Sequence, residues 1–208
     1  MTHGSFGLVI SPGTLTADGP YLRGQVVLST SSAQDAAAVV TDTLAQQIPL
    51  IDTFEPTPVD KLAELPRDPD GLLARTQLPP PDQTNLVNDR YYGPRGQLAF
   101  DSQPAVTQEL FAATGTDLVA QSGTQVYRTR DSDAATKLLE GFSKDAVSRG
   151  FTPADSPAGL PDAQCKRSLV EPNSALPARF YCLLTADRYL IEAQSRQLEA
   201  LHQLISAQ

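Results

Sequence analysis

The side chains able to do chemistry in this chain are few and widely spaced. Cys165 and Cys182 have sixteen residues between them and fall on the two arms of one predicted hairpin. A register that sets Cys165 opposite Cys182 also sets Leu169 opposite Ala178 and leaves Pro172 and Pro177 in the loop at the tip. Adjacent antiparallel strands bring two such sulfurs into bonding range, so a disulfide is expected in an oxidising compartment, with two inert buried thiols as the alternative. The spacing excludes a CxxC motif, and no third cysteine or nearby histidine supports zinc. Arg128 and Arg130 share one face of a predicted strand by its period of two. They are candidate contacts for an anionic ligand, although paired arginines on an acidic protein ordinarily serve ion pairing and solubility.

The remaining polar clusters have structural readings. Asp68, Asp70 and Gly71 resemble the start of a calcium loop, but its twelfth position is Pro79, where a bidentate glutamate is needed; the string reads as a turn feeding a short Leu72-Leu73 helix. Asp131 and Asp133 fall in the first turn of a predicted helix, where capping and the helix dipole account for them. His202 belongs on the flank of the last helix, and His3 lies in a terminus. Gly93-Pro94-Arg95-Gly96 is a turn without the strand, lysine and hydroxyl of a phosphate loop, and no GxSxG, HExxH or GxxxxGK[ST] string occurs. The residues therefore assign no catalytic group, no metal ligand and no cofactor.

Composition narrows the classes further. The 208 residues carry 24 acidic against 16 basic side chains, a net charge of −8, so the summed field repels polyphosphates and anionic headgroups and argues against nucleic acid as a partner. No window approaches eighteen apolar residues, and the first thirty residues show no signal peptide, so no transmembrane segment or export address is expected in this chain. Arginine outnumbers lysine 12 to 4, a hint of a GC-rich genome.

The elements that must position these residues are α+β in class, an antiparallel sheet with helices packed on one face. Eight of the 17 prolines lie between Pro49 and Pro81. Each fixes φ and removes a donor, so residues 55–92 read as a linker running over the surface, with short helical turns at Val59 to Leu65 and Gly71 to Arg75. Before it, residues 1–54 form a partial lobe: strands at Phe6–Ser11 and Tyr21–Thr30, then a helix from Ala33 to Ile51 capped by Ser32. Its apolar set includes Val40, Leu44 and Ile48. After it, residues 93–208 form a complete lobe. Helices are predicted near Gln103–Thr114, at Ser132–Ser148 with Ala135, Leu138, Leu139, Phe142 and Ala146 on one face, and from Arg196. Strands are predicted at Gly123–Thr129, Ala163–Leu169, Arg179–Leu184 and Arg188–Gln194.

The two ends share an order of motifs. Thr185-Ala186-Asp187 and Tyr189-Leu190, followed by a helix, parallel Thr16-Ala17-Asp18 and Tyr21-Leu22, followed by the Ser32 helix. Duplication is the favoured reading and chance similarity the alternative. Duplication would make the first lobe incomplete, unable to close its own core and prone to self-association through its apolar helix face.

The string Thr57-Pro58-Val59-Asp60-Lys61-Leu62-Ala63-Glu64-Leu65-Pro66, then Asp68-Pro69-Asp70-Gly71-Leu72-Leu73-Ala74-Arg75-Thr76, is the most distinctive in the chain. With Tyr92-Gly93-Pro94-Arg95-Gly96, Val126-Tyr127-Arg128-Thr129-Arg130-Asp131 and Tyr181-Cys182 ahead of Ala186-Asp187-Arg188-Tyr189, it resembles the DUF7373 family of actinobacterial lipoproteins. The resemblance spans most of the chain, strongest from about Phe54 onward. It implies a two-lobe protein tethered outside the membrane by a lipidated N-terminal cysteine, and so an extracytoplasmic, cell-envelope location. It implies no catalytic residues. The family's signal peptide, lipobox cysteine and most of its first lobe are missing at the start of this sequence, which leaves an expression fragment, a downstream start or a degenerate copy as explanations.

Together these observations favour a non-enzymatic envelope domain that binds a protein partner or small ligand through its sheet or an interlobe cleft. A carrier of an apolar envelope lipid would need a large apolar cavity, and an enzyme would need a nucleophile and base that the sequence does not display.

Overall fold

A computed structural model describes residues 5–8, 26–29, 32–68, 70–78, 89–169 and 179–207. The chain divides into two compact units, Met1–Leu65 and Pro66–Gln208.

The first unit pairs β1 (Ser5–Leu8) with β2 (Val26–Ser29) antiparallel and continues into α1 (Ala33–Asp52). Ser32 caps α1 as its sequence predicts, its hydroxyl accepting from the Gln34 and Asp35 amides at 3.1 and 3.2 Å. No described side chain of α1 is buried, and Leu44 and Ile48 of the expected apolar face are 40% and 52% exposed. A 3-10 turn follows at Val59–Glu64. Thr16, Ala17 and Asp18, on which the repeat reading rests, lie outside the described residues.

The second unit is built on a seven-stranded antiparallel sheet in the order β3-β4-β5-β9-β8-β7-β6. Its strands are β3 (Arg90–Tyr92), β4 (Leu118–Gln121), β5 (Thr124–Arg128), β6 (Phe151–Pro153), β7 (Gln164–Ser168), β8 (Phe180–Ala186) and β9 (Tyr189–Ser195). Its helices are α2 (Pro94–Leu98), α3 (Pro104–Thr114), α4 (Ser132–Ser148) and α5 (Leu198–Ser206). Two meanders, β3-β4-β5 and β6-β7-β8-β9, meet where β5 pairs with β9. The turn between β8 and β9 is tight because Asp187 adopts φ 52, a left-handed conformation that a short polar side chain tolerates.

The α+β class of the sequence reading holds, but the helices are shared between both sheet faces. Successive residues in the strands are both buried and point opposite ways: Val119 and Ala120, Tyr127 and Val126, Leu183 and Cys182, Leu190 and Ile191. The first of each pair packs with Phe111 of α3 and Leu138, Leu139 and Phe142 of α4. The second packs with Leu201 and Ile205 of α5, and with Leu72.

Leu72 corrects the linker reading. It is 1% exposed and belongs to the core, so the segment around it is a strap bound to the sheet. The Asp68 carboxylate accepts from the Leu73 and Ala74 amides (3.0 and 2.9 Å), closing the 3-10 turn Leu73–Arg75 after Gly71 at φ 66. Gln77 then exchanges hydrogen bonds with the sheet, its amide donating to Thr124 Oγ1 (2.9 Å) and its carbonyl accepting from Gly123 (2.7 Å). A Cβ on Gly123 would meet the Gln77 carbonyl oxygen at 2.7 Å, which is why glycine occupies this turn. Residues 90–92, also read as linker, form the edge strand β3. Prolines punctuate the strap without keeping Leu72 out of the core, and Leu73 packs beside it.

Candidate functional site

Cys165 and Cys182 stand directly opposite each other on β7 and β8, with Cα atoms 4.1 Å apart, and form a disulfide. Ala178, the expected partner of Leu169, lies outside the described residues. Both cysteines face the α5 side, where a crosslink restricts the unfolded chain and offers no reactive thiol.

Arg128 and Arg130 are engaged within the protein. Arg128 closes β5 and forms ion pairs with Asp117 (2.8 Å) and Asp70 (3.1 Å); its hydrogen bond to Asp117 holds the guanidinium pKa above its ordinary value. Arg130 lies beyond the strand end, pairs with Asp131 at 3.4 Å and donates to the Ala113 carbonyl at 3.2 Å. Asp131 caps α4 by accepting from the Ala134 amide (2.8 Å). His202 Nε2 is 2.8 Å from the Asp155 carbonyl, which can only accept, so the ring donates a structural hydrogen bond from that nitrogen. Among the described residues no His, Cys, Asp and Glu cluster is arranged to hold a metal ion, and no helix is long and apolar enough to cross a membrane.

The concave feature of this unit lies on the other face of the sheet, among residues the sequence reading did not single out as a site. On β5, β8 and β9 the face toward α4 is apolar at Leu183 and Leu190 and then turns polar at Gln125, Glu192 and Gln194. Glu192 sits opposite Gln125 in register, and Gln194 opposite Tyr181. Above this end lie Asp145 and Arg149 at the end of α4, and the residues from Gln97 to Thr107 that link α2 to α3. They line a cavity of about 160 Å³ that is open to solvent, walled also by Phe100, Phe142 and Phe151.

Glu192 is a buried carboxyl, 7% exposed in the middle of the sheet. Its Oε1 accepts from Gln194 Nε2 at 2.6 Å, and its Oε2 lies 2.7 Å from the Tyr127 hydroxyl, which also touches Gln125 Oε1. Burial pushes the carboxyl above the ordinary carboxylate range, against the hydrogen bonds from Gln194 and Tyr127 that favour the charged form. The protonated acid satisfies the network as built: Glu192 donates to Tyr127, which donates to Gln125. The ionised form accepts a hydrogen bond from the Tyr127 hydroxyl, and Gln125 must then turn its amide to donate to that hydroxyl. Burial and the neighbouring Glu192 also push the Tyr127 and Tyr181 hydroxyls well above their ordinary values, so both stay protonated.

Two other polar groups belong to the wall. Gln97 is 4% exposed, and its Oε1 is buried without a hydrogen-bond partner. Arg149 is held by Asp145 at 2.8 Å and stacks 5.5 Å from the centre of the Phe151 ring. The site joins a buried carboxyl, aromatic faces and an unsatisfied amide, which suits recognition of a small solute. The sequence does carry a signal for it: in Tyr189–Ser195 a lone glutamate interrupts an apolar run, and Leu190, Glu192 and Gln194 share a face by alternation.

The N-terminal domain of unknown function DUF7373 matches residues 9–67, and the C-terminal domain of the same family matches residues 72–208. No curated protein and no solved structure matches the chain. With one match falling on the hairpin-and-helix unit and the other on the strap, the seven-stranded sheet and its polar cavity, the chain belongs to the DUF7373 family.

Proposed function

We propose that this chain is a non-catalytic domain of the cell envelope, working outside the cytoplasm, and that its second unit binds a small polar ligand in the cavity between the sheet and α4. The carrying observation is the pocket itself, with the polar side chains of Gln125, Glu192 and Gln194 gathered on its floor, where a small solute can hydrogen-bond to them. The disulfide supports the location, since such bonds persist in oxidising compartments, and the lipoprotein resemblance agrees with it. The cavity favours a small solute over an envelope lipid. Its volume of about 160 Å³ lies below the roughly 300–1,000 Å³ of pockets for drug-sized molecules, and its floor carries Gln125, Glu192 and Gln194.

Ligand-observed NMR with a panel of small amines, polyols, amides and carboxylic acids tests the reading on the full chain. Ser102 is exposed and lines the cavity, so Ser102→Trp should plug it without disturbing the core. Binding by the native chain and its loss in S102W is the expected result. Panel-wide silence, or binding that S102W leaves intact, would overturn it.

A further inference from the structure

The chemistry of the cavity wall narrows the ligand class, and the argument rests on the binding reading above. The wall groups with unspent capacity are acceptors. Glu192 is a carboxyl group with only neutral partners, and Asp101 spends one oxygen on the Gln103 amide that opens α3 (2.6 Å). The one cation in the wall, Arg149, is committed to Asp145. Three carboxyl groups thus line the pocket beside one guanidinium, and the rest of the lining mixes the aromatic residues Phe100, Tyr127, Phe142, Phe151 and Tyr181 with neutral polar side chains. Ring faces attract cations through their quadrupoles, most strongly where water is excluded. The cavity wall already shows the preference, because Arg149 lies over Phe151.

We infer that the cavity binds a small organic monocation, an alkylated ammonium of about five to eight non-hydrogen atoms, with its charge between Glu192 and the aromatic wall. The size follows from the volume: roughly 150 Å³ admits a benzene-sized molecule, and this cavity holds about 160 Å³.

Binding is coupled to a proton. The charged groups facing Glu192 are Asp101 from the α2–α3 connection and Asp145 and Arg149 from α4, with the Tyr127 and Tyr181 hydroxyls on the sheet. A cation beside the carboxyl favours its ionised form, so the complex releases a proton and affinity rises with pH until free Glu192 is fully ionised.

Calorimetric titration of the full chain with choline and with its uncharged isostere 3,3-dimethyl-1-butanol, at about pH 5 and about pH 8, tests this. Choline should bind at least about tenfold tighter than the isostere, more tightly at the higher pH and with proton release. Glu192→Gln should remove that advantage and the pH dependence together. Asp101→Asn, at a half-buried position away from the sheet, should weaken choline alone and serves if E192Q folds poorly. Equal or tighter binding of the isostere, or choline binding indifferent to both variants, overturns the inference. If choline fails while another solute binds and S102W blocks it, the cation assignment falls and the binding reading stands. If nothing in the panel binds, both fall.

Discussion

Glu192 sets the pH behaviour of the second unit. Its carboxyl is pushed up in the folded state, so between the unfolded value near 4.5 and the folded value the native chain holds a proton that the unfolded chain has released. Stability from this group is therefore present at low pH and declines as pH rises through that window. Glu192→Gln keeps a neutral polar group in place and removes the titration. Denaturant unfolding at about pH 4 and about pH 8 should show E192Q gaining on the native chain at the higher pH; a native-minus-variant difference that is flat, or that grows with pH, would contradict the burial argument. This residue was the hardest to find from sequence. A lone carboxylate in an apolar strand shows its significance only when its neighbours across the sheet are known, and Gln125, Tyr127 and Tyr181 come from other strands. Arg128 and Arg130 stand out by a local spacing, yet Arg128 is held by Asp117 and Asp70 from outside its strand and Arg130 by its neighbour Asp131.

The strap around Leu72 is the element where local and tertiary forces disagree most. Proline density predicts irregular backbone and gets it, with 3-10 turns at Val59–Glu64 and Leu73–Arg75. It does not predict that one leucine is fully buried against Ala163, Leu201 and Ile205. Leu72→Ala should lower the unfolding free energy by about 3 kcal/mol through lost burial and the cavity left behind; a loss under about 1 kcal/mol would mean that the strap rides on the surface. Elements with their own periodicity and caps were legible. α4 runs from Ser132 to Ser148 as expected, behind its Asp131 cap and ahead of Gly150 at φ 87, and the β7–β8 register follows the cysteine pair. Four of the short elements were not. β3, β4, β6 and α2 are too short to display a period, and their pairing partners, not their residues, make them strands or a helix.

At the scale of the molecule, the two units differ in what they bury. Pro66–Gln208 has a core on each face of its sheet, whereas α1 of Met1–Leu65 has no buried side chain among those described. A two-stranded hairpin with one helix is marginal alone. Residues 1–65 expressed separately should show no cooperative thermal transition by circular dichroism, while residues 66–208 should melt in a single one. A sharp, monomeric transition from the shorter piece would refute this. The strand order has a further consequence in time. β9, made after the six other strands of its sheet, lies in the interior between β5 and β8. Until it is made, the β3-β4-β5 meander and the β6-β7-β8 meander each present an open edge with no strand to join them, and α5 cannot yet cover its face. A nascent chain without β9 holds two unfinished half-sheets, so closure of this sheet waits on the strand that comes last in its order along the chain.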